Sequence, residues 1–399
     1  MMKKRNKLVT LVAALAMLVT MLVATPATAF GDIPPLPGTD VCAVYVDGVS
    51  DAGYADIADA FAFAKFNPGT TIYLLEDIAG CSFIEINNSM AIDLRGFDLE
   101  FASGEGMYIH GTNAELTIVG GGRLTLDYLE IEYGSLEATA DITAVNGITI
   151  YAAATLVVNG DITCTEANGL GAYYSHATVN GNISGIDYGI CAHGENTEVL
   201  VNGDVTAVDC GIDASWQAVV TVNGDVQADV GIYTWKNGED PGDIDIQVSV
   251  NGNVRAKDVG ILAIFPSDIY VSGDVLVSDA AEGVGVAAYD GVKVTIDGMI
   301  TARFYIIFAD HDMNDVFVYL NDYDATTAKA GYRQYSDNLE NASYVWVKAI
   351  FDPVSPPPKT PGTGDGWGLA ALLAGLLSAF GACGLLARRK VLLSKGRIS

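Results

Sequence analysis

Between residues 140 and 300 the hydrophobic positions fall into short alternating runs separated by Asn-Gly corners. Val158-Asn159-Gly160-Asp161-Ile162 returns as Val179-Asn180-Gly181-Asn182-Ile183, Val201-Asn202-Gly203-Asp204-Val205 and Val222-Asn223-Gly224-Asp225-Val226. It continues as Val250-Asn251-Gly252-Asn253-Val254 and Val271-Ser272-Gly273-Asp274-Val275, with a worn copy at Ile296-Asp297-Gly298-Met299-Ile300. The glycines step by 21, 22, 21, 28, 21 and 25 residues, and the step of 28 holds a polar Gly/Pro/Asp insertion over residues 236–243. Each copy carries a second glycine: Gly147, Gly169, Gly189, Gly211, Gly231, Gly260 and Gly285. After it, Ile148, Leu170, Ile190, Ile212, Ile232 and Ile261 share one side with Ile150, Ala172, Ala192, Ala214, Thr234 and Ala263. Alternation over such short β-branched runs predicts strands.

A unit of this size cannot bury a core alone, so its copies must stack. Stacking about 4.8 Å apart sets each Asn over the Asn of the next copy, where amides hydrogen-bond in a ladder and tolerate left-handed corners. No L-x-x-L-x-L frame, six-residue period or G-G-x-G-x-D calcium frame occurs, which leaves an all-β parallel β-helix of about 12 coils. Looser strands are expected upstream, over Thr70 to Ile78, Ile84 to Ser89, Ala91 to Leu99 and Leu116 to Gly122. Tyr54 to Lys65 places Ile57, Phe61 and Ala64 on one helical face, which predicts a short helix capping the first coil.

Charge then separates the body from its ends. The 399 residues carry a formal net charge of -28 from 49 acidic and 21 basic residues. Residues 30–363 hold 48 of those acids and 12 of the bases, a net of -36, which excludes a general nucleic-acid binder. Lys3, Lys4, Arg5 and Lys7 precede an apolar run from Leu8 to Ala24 and an Ala27-Thr28-Ala29 site. Those three parts make a signal peptide over 1–29, cut by signal peptidase after Ala29. A linker over 30–41 leads to the β-helix and its cap over 42–350.

Residues 351–363 form a Pro-rich stalk ending in Thr360-Pro361-Gly362-Thr363-Gly364, and 364–399 hold an apolar span, Trp367 to Ala387, with a basic tail. That span of 21 residues is long enough to cross a bilayer. The order resembles the cell-wall sorting signal of Gram-positive surface proteins, Leu-Pro-x-Thr-Gly, with Thr360 in place of Leu. The resemblance implies sortase cleavage between Thr363 and Gly364 and a bond from Thr363 to peptidoglycan. The other reading is a plain membrane anchor through residues 367–387. Either way the body is displayed outside the cell.

The body carries a resemblance of its own. The Ala55-Asp56-Ile57-Ala58-Asp59-Ala60 helix, the Leu74-Leu75-Glu76-Asp77-Ile78 strand, Ile92-Asp93-Leu94-Arg95-Gly96-Phe97-Asp98-Leu99 and Leu116-Thr117-Ile118-Val119-Gly120-Gly121-Gly122 look like the right-handed β-helix surface proteins of Gram-positive bacteria. These share their fold with pectate lyases, and they have no single activity to carry over.

Candidate chemistry is sparse. No C-x-x-C, His-x-x-x-His, Gly-x-Ser-x-Gly or phosphate loop occurs, so no catalytic residue, metal site or cofactor is assigned. Cys42, Cys81, Cys164, Cys191 and Cys210 are an odd number outside the apolar span, so a disulfide framework does not hold the fold. One acidic column runs through Asp141, Asp161, Asp204, Asp225 and Asp274, and a second through Asp187, Asp209, Asp229 and Asp258. These are either calcium sites between coils or plain turn formers. Asp310-His311-Asp312 is a local cluster that reads as a polar turn, a metal-binding group or an acid/base pair.

The remaining signal is aromatic. A ring follows each second glycine by four residues, or five in two copies: Tyr151, Tyr173, His193, Trp216, Trp235, Phe265 and Tyr289, with His110 in the matching upstream place. Stacked coils would lay these in a stripe that binds glycans or extracellular proteins, or that packs as a structural ladder. The expected role is a non-enzymatic, adhesin-like display protein. Its rivals are a polysaccharide lyase or glycoside hydrolase on the same fold, and a ligand-free spacer.

Overall fold

The computed structural model describes residues 40–46, 48–235, 246–309, 314–339 and 341–349. The predicted signal peptide, the insertion, the Asp310-His311-Asp312 cluster, the stalk with Thr363 and Gly364, and the apolar span lie outside them. No helix among the described residues is long and apolar enough to cross a membrane.

The body is an all-β parallel solenoid of about 11 turns with one short helix. Each central coil contributes three strands. One column stacks Ser135–Ala138, Thr155–Val158, His176–Val179, Glu198–Val201 and Val219–Val222, parallel and in register. A second stacks Asp141–Ala144, Ile162–Cys164, Ile183–Ser184 and Val205–Thr206. The third stacks Ile148–Tyr151, Leu170–Tyr173, Tyr188–His193 and Cys210–Ser215. In two coils the second and third columns fuse into ten-residue strands, Val226–Trp235 and Val254–Ala263.

The interior follows the alternation. Ile148, Ile150, Leu170, Ala172, Ile190, Ala192, Ile212 and Ala214 are all buried, as is the valine line Val205, Val226, Val254 and Val275. The second glycines are explained by close approach: a Cβ on Gly211 would lie 2.4 Å from Val226 Cγ1 and 2.6 Å from the Gly231 carbonyl oxygen. Neighbouring coils can therefore touch through bare backbone at that point.

Two side-chain ladders stitch the first corner. Asn180 donates to Asn159, Asn202 to Asn180 and Asn223 to Asn202, each at 2.6 Å, and Asn251 donates to Asn223 at 2.7 Å. Beside them the first acidic column accepts backbone N–H groups from the coil above. Asp161 takes Asn182 N–H at 2.7 Å, Asp204 takes Asp225 N–H at 2.8 Å, and Asp274 takes Met299 N–H at 2.8 Å. These carboxylates cap backbone donors, which is a structural use of a turn-forming residue.

Both ends are closed. Cys42–Val46 pairs antiparallel with Val49–Tyr54 and with Thr70–Leu74, and the helix Ile57–Ala64 buries Ile57, Ala60, Phe61 and Ala64. Asp56 caps that helix by accepting Ala58 N–H at 2.8 Å. At the far end Asp315–Val318 and Tyr332–Ser336 add antiparallel strands, and Tyr344–Lys348 returns parallel to Lys293–Ile296. Upstream, the run expected as one strand over Ala91 to Leu99 is two strands, because Arg95 and Gly96 adopt φ of 53° and 87° and turn the chain between them. Thr70 to Ile78 likewise divides after Leu74. Cys42, Cys81, Cys164, Cys191 and Cys210 are all buried.

Candidate functional site

The expected ring stripe falls on the outward side of the third column, and strand register sorts its members. Tyr151 stands beside Tyr173, Tyr173 beside His193, His193 beside Ser215, and Ser215 beside Trp235. Trp216 lies one residue past the column, with Ser215 in its place. Phe265 is displaced in the same way, since the Ala263–Ala288 pair puts Ile264 level with Tyr289. The two copies with the longer spacing are therefore the two that leave the line. His110 starts the column, followed by Glu132.

These rings pack on one another. His193 meets Tyr173 and Trp235 edge-on at centroid distances of 5.4 and 5.7 Å. Tyr173, Trp235 and Tyr289 join an outer apolar cluster with Tyr188, Cys191, Tyr233 and Leu262. The rings of this column are mostly half-buried and pack against one another on the outer face.

The solvent-facing aromatics sit one residue further on, at the corner. There the coils present Tyr133, Ala152, Tyr174, Gly194 and Trp216, and backbone bonds continue the stacking: Tyr174 N–H to His193 O, and Gly194 N–H to Ser215 O. Tyr133, Tyr174 and Trp216 are 52%, 48% and 38% exposed. All three hold left-handed backbone, with φ of 61°, 53° and 52°. A bulky side chain in that region costs about 1–2 kcal/mol, and such outliers gather at functional surfaces. The three rings occupy every second coil, about 10 Å apart, with Ala152 and Gly194 between them. The Tyr174 ring lies over Gly194, whose Cβ would fall 2.7 Å from it.

Beneath this corner is a group that sequence spacing did not reveal. Cys191 and His193 are two apart on one strand and share its outward face, and Asp213 stands directly opposite Cys191 on the next. Their donor atoms lie within 4.8 Å of one another. His193 Nε2 is 3.5 Å from Cys191 Sγ and 3.5 Å from Asp213 Oδ1. The Trp235 indole N–H donates to Asp213 Oδ1 at 2.6 Å, and the Tyr173 hydroxyl is 3.5 Å from Cys191 Sγ. Burial opposes the charged imidazolium, but Cys191 and Asp213 outweigh it and hold the His193 pKa well above its ordinary value. Thiol and carboxylate meet the same ring nitrogen, whereas a nucleophile relay has one partner on each nitrogen.

Two other carboxylate groupings bear on the rival enzymatic reading. Glu130 and Glu132 share an outward strand face, where Tyr108 donates to Glu132 and burial pushes Tyr151 up to about 12. Lys257 Nζ bridges Asp229 at 3.2 Å and Asp258 at 3.6 Å. The hydrogen bond to Asp229 raises the Lys257 pKa, the opposite of what a proton-abstracting lysine requires.

The second acidic column is stacked like charge. Burial, then the Asp187 and Asp229 carboxylates, push the Asp209 carboxyl above its usual range. A carboxyl so raised binds its proton more tightly folded than unfolded, so it favours the fold in acid and costs stability as pH rises through that window. Asp209→Asn is expected to raise the melting temperature at neutral pH and to leave it unchanged near pH ~3. An unchanged melt at neutral pH would show the repulsion to be screened away. Wild-type melts with and without calcium test the bridging alternative, which predicts stabilisation lost in the same variant.

Comparison with known proteins finds no matching family model, no matching curated protein and no matching solved structure.

Proposed function

We propose that this chain is an exported, wall-anchored display protein, wound right-handed, whose solenoid body binds an extended glycan along the corner row Tyr133, Tyr174 and Trp216. The observation that carries the reading is three large aromatics held exposed in strained left-handed backbone at every second coil. Aromatic faces stack on the apolar faces of sugar rings, and a regular spacing suits a polymer whose units repeat. A net negative body disfavours acidic polysaccharides, so neutral glycans are the expected class. The ends support export: a signal peptide before the body, and a stalk, a sortase-like motif and an apolar span after it. Signal peptidase, sortase and peptidoglycan are the corresponding processing partners.

A glycan and extracellular-matrix array probed with the purified chain tests this directly. Binding to neutral glycans is expected, with Tyr174→Ala and Trp216→Ala each weakening it about two- to tenfold while circular dichroism stays unchanged. Binding confined to matrix proteins would move the ligand class to protein. Turnover of a polysaccharide would favour the enzymatic rival, and silence across the array would favour the ligand-free spacer.

A further inference from the structure

We propose that Cys191, His193 and Asp213 form a zinc site that clamps two neighbouring coils from outside. A tetrahedral zinc with ordinary bonds to sulfur, imidazole nitrogen and carboxylate oxygen holds those donors about 3.3–3.6 Å apart. Here Nε2 stands 3.5 Å from both Sγ and Oδ1, and all three donor atoms lie within 4.8 Å of one another. For an N–H···O hydrogen bond 3.5 Å is long, and one ring nitrogen faces both the thiol and the carboxylate at once. Equal separation from both partners is what a nitrogen sharing an ion with them would have.

The surroundings fit the same assignment. Cys191 lies in the outer apolar cluster and the Asp213 side chain opposite it is buried, where an uncompensated anion is costly. A divalent cation would neutralise a thiolate and a carboxylate together. The Trp235 N–H on Asp213 and the Tyr173 hydroxyl near Cys191 are the outer partners that orient metal ligands. Three protein donors leave one of four positions to water, reached from the His193 side, whose side chain is 22% exposed. The ligands span Tyr188–His193 and Cys210–Ser215, so the ion would tie adjacent coils as a disulfide might in another exported fold.

The inference is independent of the glycan reading and is tested without it. The full chain, reduced, stripped with chelator and held in detergent, is incubated with zinc alone and analysed for bound metal, then titrated with cobalt(II) as a spectroscopic probe. One tightly held zinc per chain is expected, with a higher melting temperature and a thiolate-to-cobalt charge-transfer band. Cys191→Ser should abolish the band. His193→Gln and Asp213→Asn should each weaken cobalt binding at least about tenfold. Cys164→Ser, whose thiol donates to Val145 O, should leave it intact. Should Cys191→Ser misfold, the His193 and Asp213 variants decide. Folded wild-type chain that holds no zinc, a band that survives Cys191→Ser, or unweakened binding in both other variants would overturn the assignment.

Discussion

Gly211→Ala is expected to destabilise the body by about 3 kcal/mol, although it adds a single methyl group. The strain is steric and comes from the neighbouring coil. The new Cβ would sit 2.6 Å from the Gly231 carbonyl oxygen, which is backbone and cannot rotate away, and 2.4 Å from Val226 Cγ1. Gly231 repeats the arrangement against Gly260 and Val254, so relief at one coil transfers the clash to the next. Urea denaturation compared with Gly121→Ala supplies the control. Gly121 has φ of 68° but nothing within 4 Å of its would-be Cβ, so its substitution costs only the backbone penalty of about 1 kcal/mol. Adding Val226→Ala to Gly211→Ala should recover part of the loss, because it removes the methyl contact and leaves the carbonyl one. If Gly211→Ala melts with the wild type, coil spacing is not set at this contact.

Phe308→Ala is expected to cost about 3–5 kcal/mol, and to spend it at one end of the molecule. Phe308 is fully buried and pairs with Ala288, which continues the inward line Ala172, Ala192, Ala214, Thr234 and Ala263. Small residues keep that side of the interior narrow through the central coils, and a large ring fills it where the stack stops. Its strand also carries the antiparallel closing strand through the Phe308–Val316 pair. Solenoid coils interact mainly with their neighbours, so the damage should stay local. Hydrogen exchange should show the coils after about residue 280 losing protection while Thr155–Val158 and its neighbours keep theirs. Uniform loss of protection along the chain would show that the body unfolds as one unit.

What was legible in the sequence is what repeats. Asn at 159, 180, 202, 223 and 251 announced both the corner and the ladder, since an amide is donor and acceptor at once and can stack on itself. The upstream boundaries were less readable, because Leu94 and Phe97 carry the apolar pattern straight through the turn at Arg95 and Gly96. The ring spacing counted from each glycine departs from the strand register at Trp216 and Phe265. Counting from the glycine treats the fifth residue as the fourth, whereas register places Ser215 and Ile264 in the line. The Cys191, His193 and Asp213 group was invisible for a different reason. Its members share no motif spacing, and only the offset of one coil to the next sets Asp213 opposite Cys191.

The Asn ladder has a direction: every side-chain amide gives its hydrogen to the copy before it and offers its oxygen to the copy after it. A duplicated copy spliced in between Asn180 and Asn202 would therefore find a waiting acceptor below and a waiting donor above. It would need no new complementary surface, and it would lengthen the rod by one rung of about 4.8 Å. In a gene built this way, unequal recombination acts as a length control. The length of the solenoid body becomes a trait that selection can adjust by counting copies, without redesigning any of them.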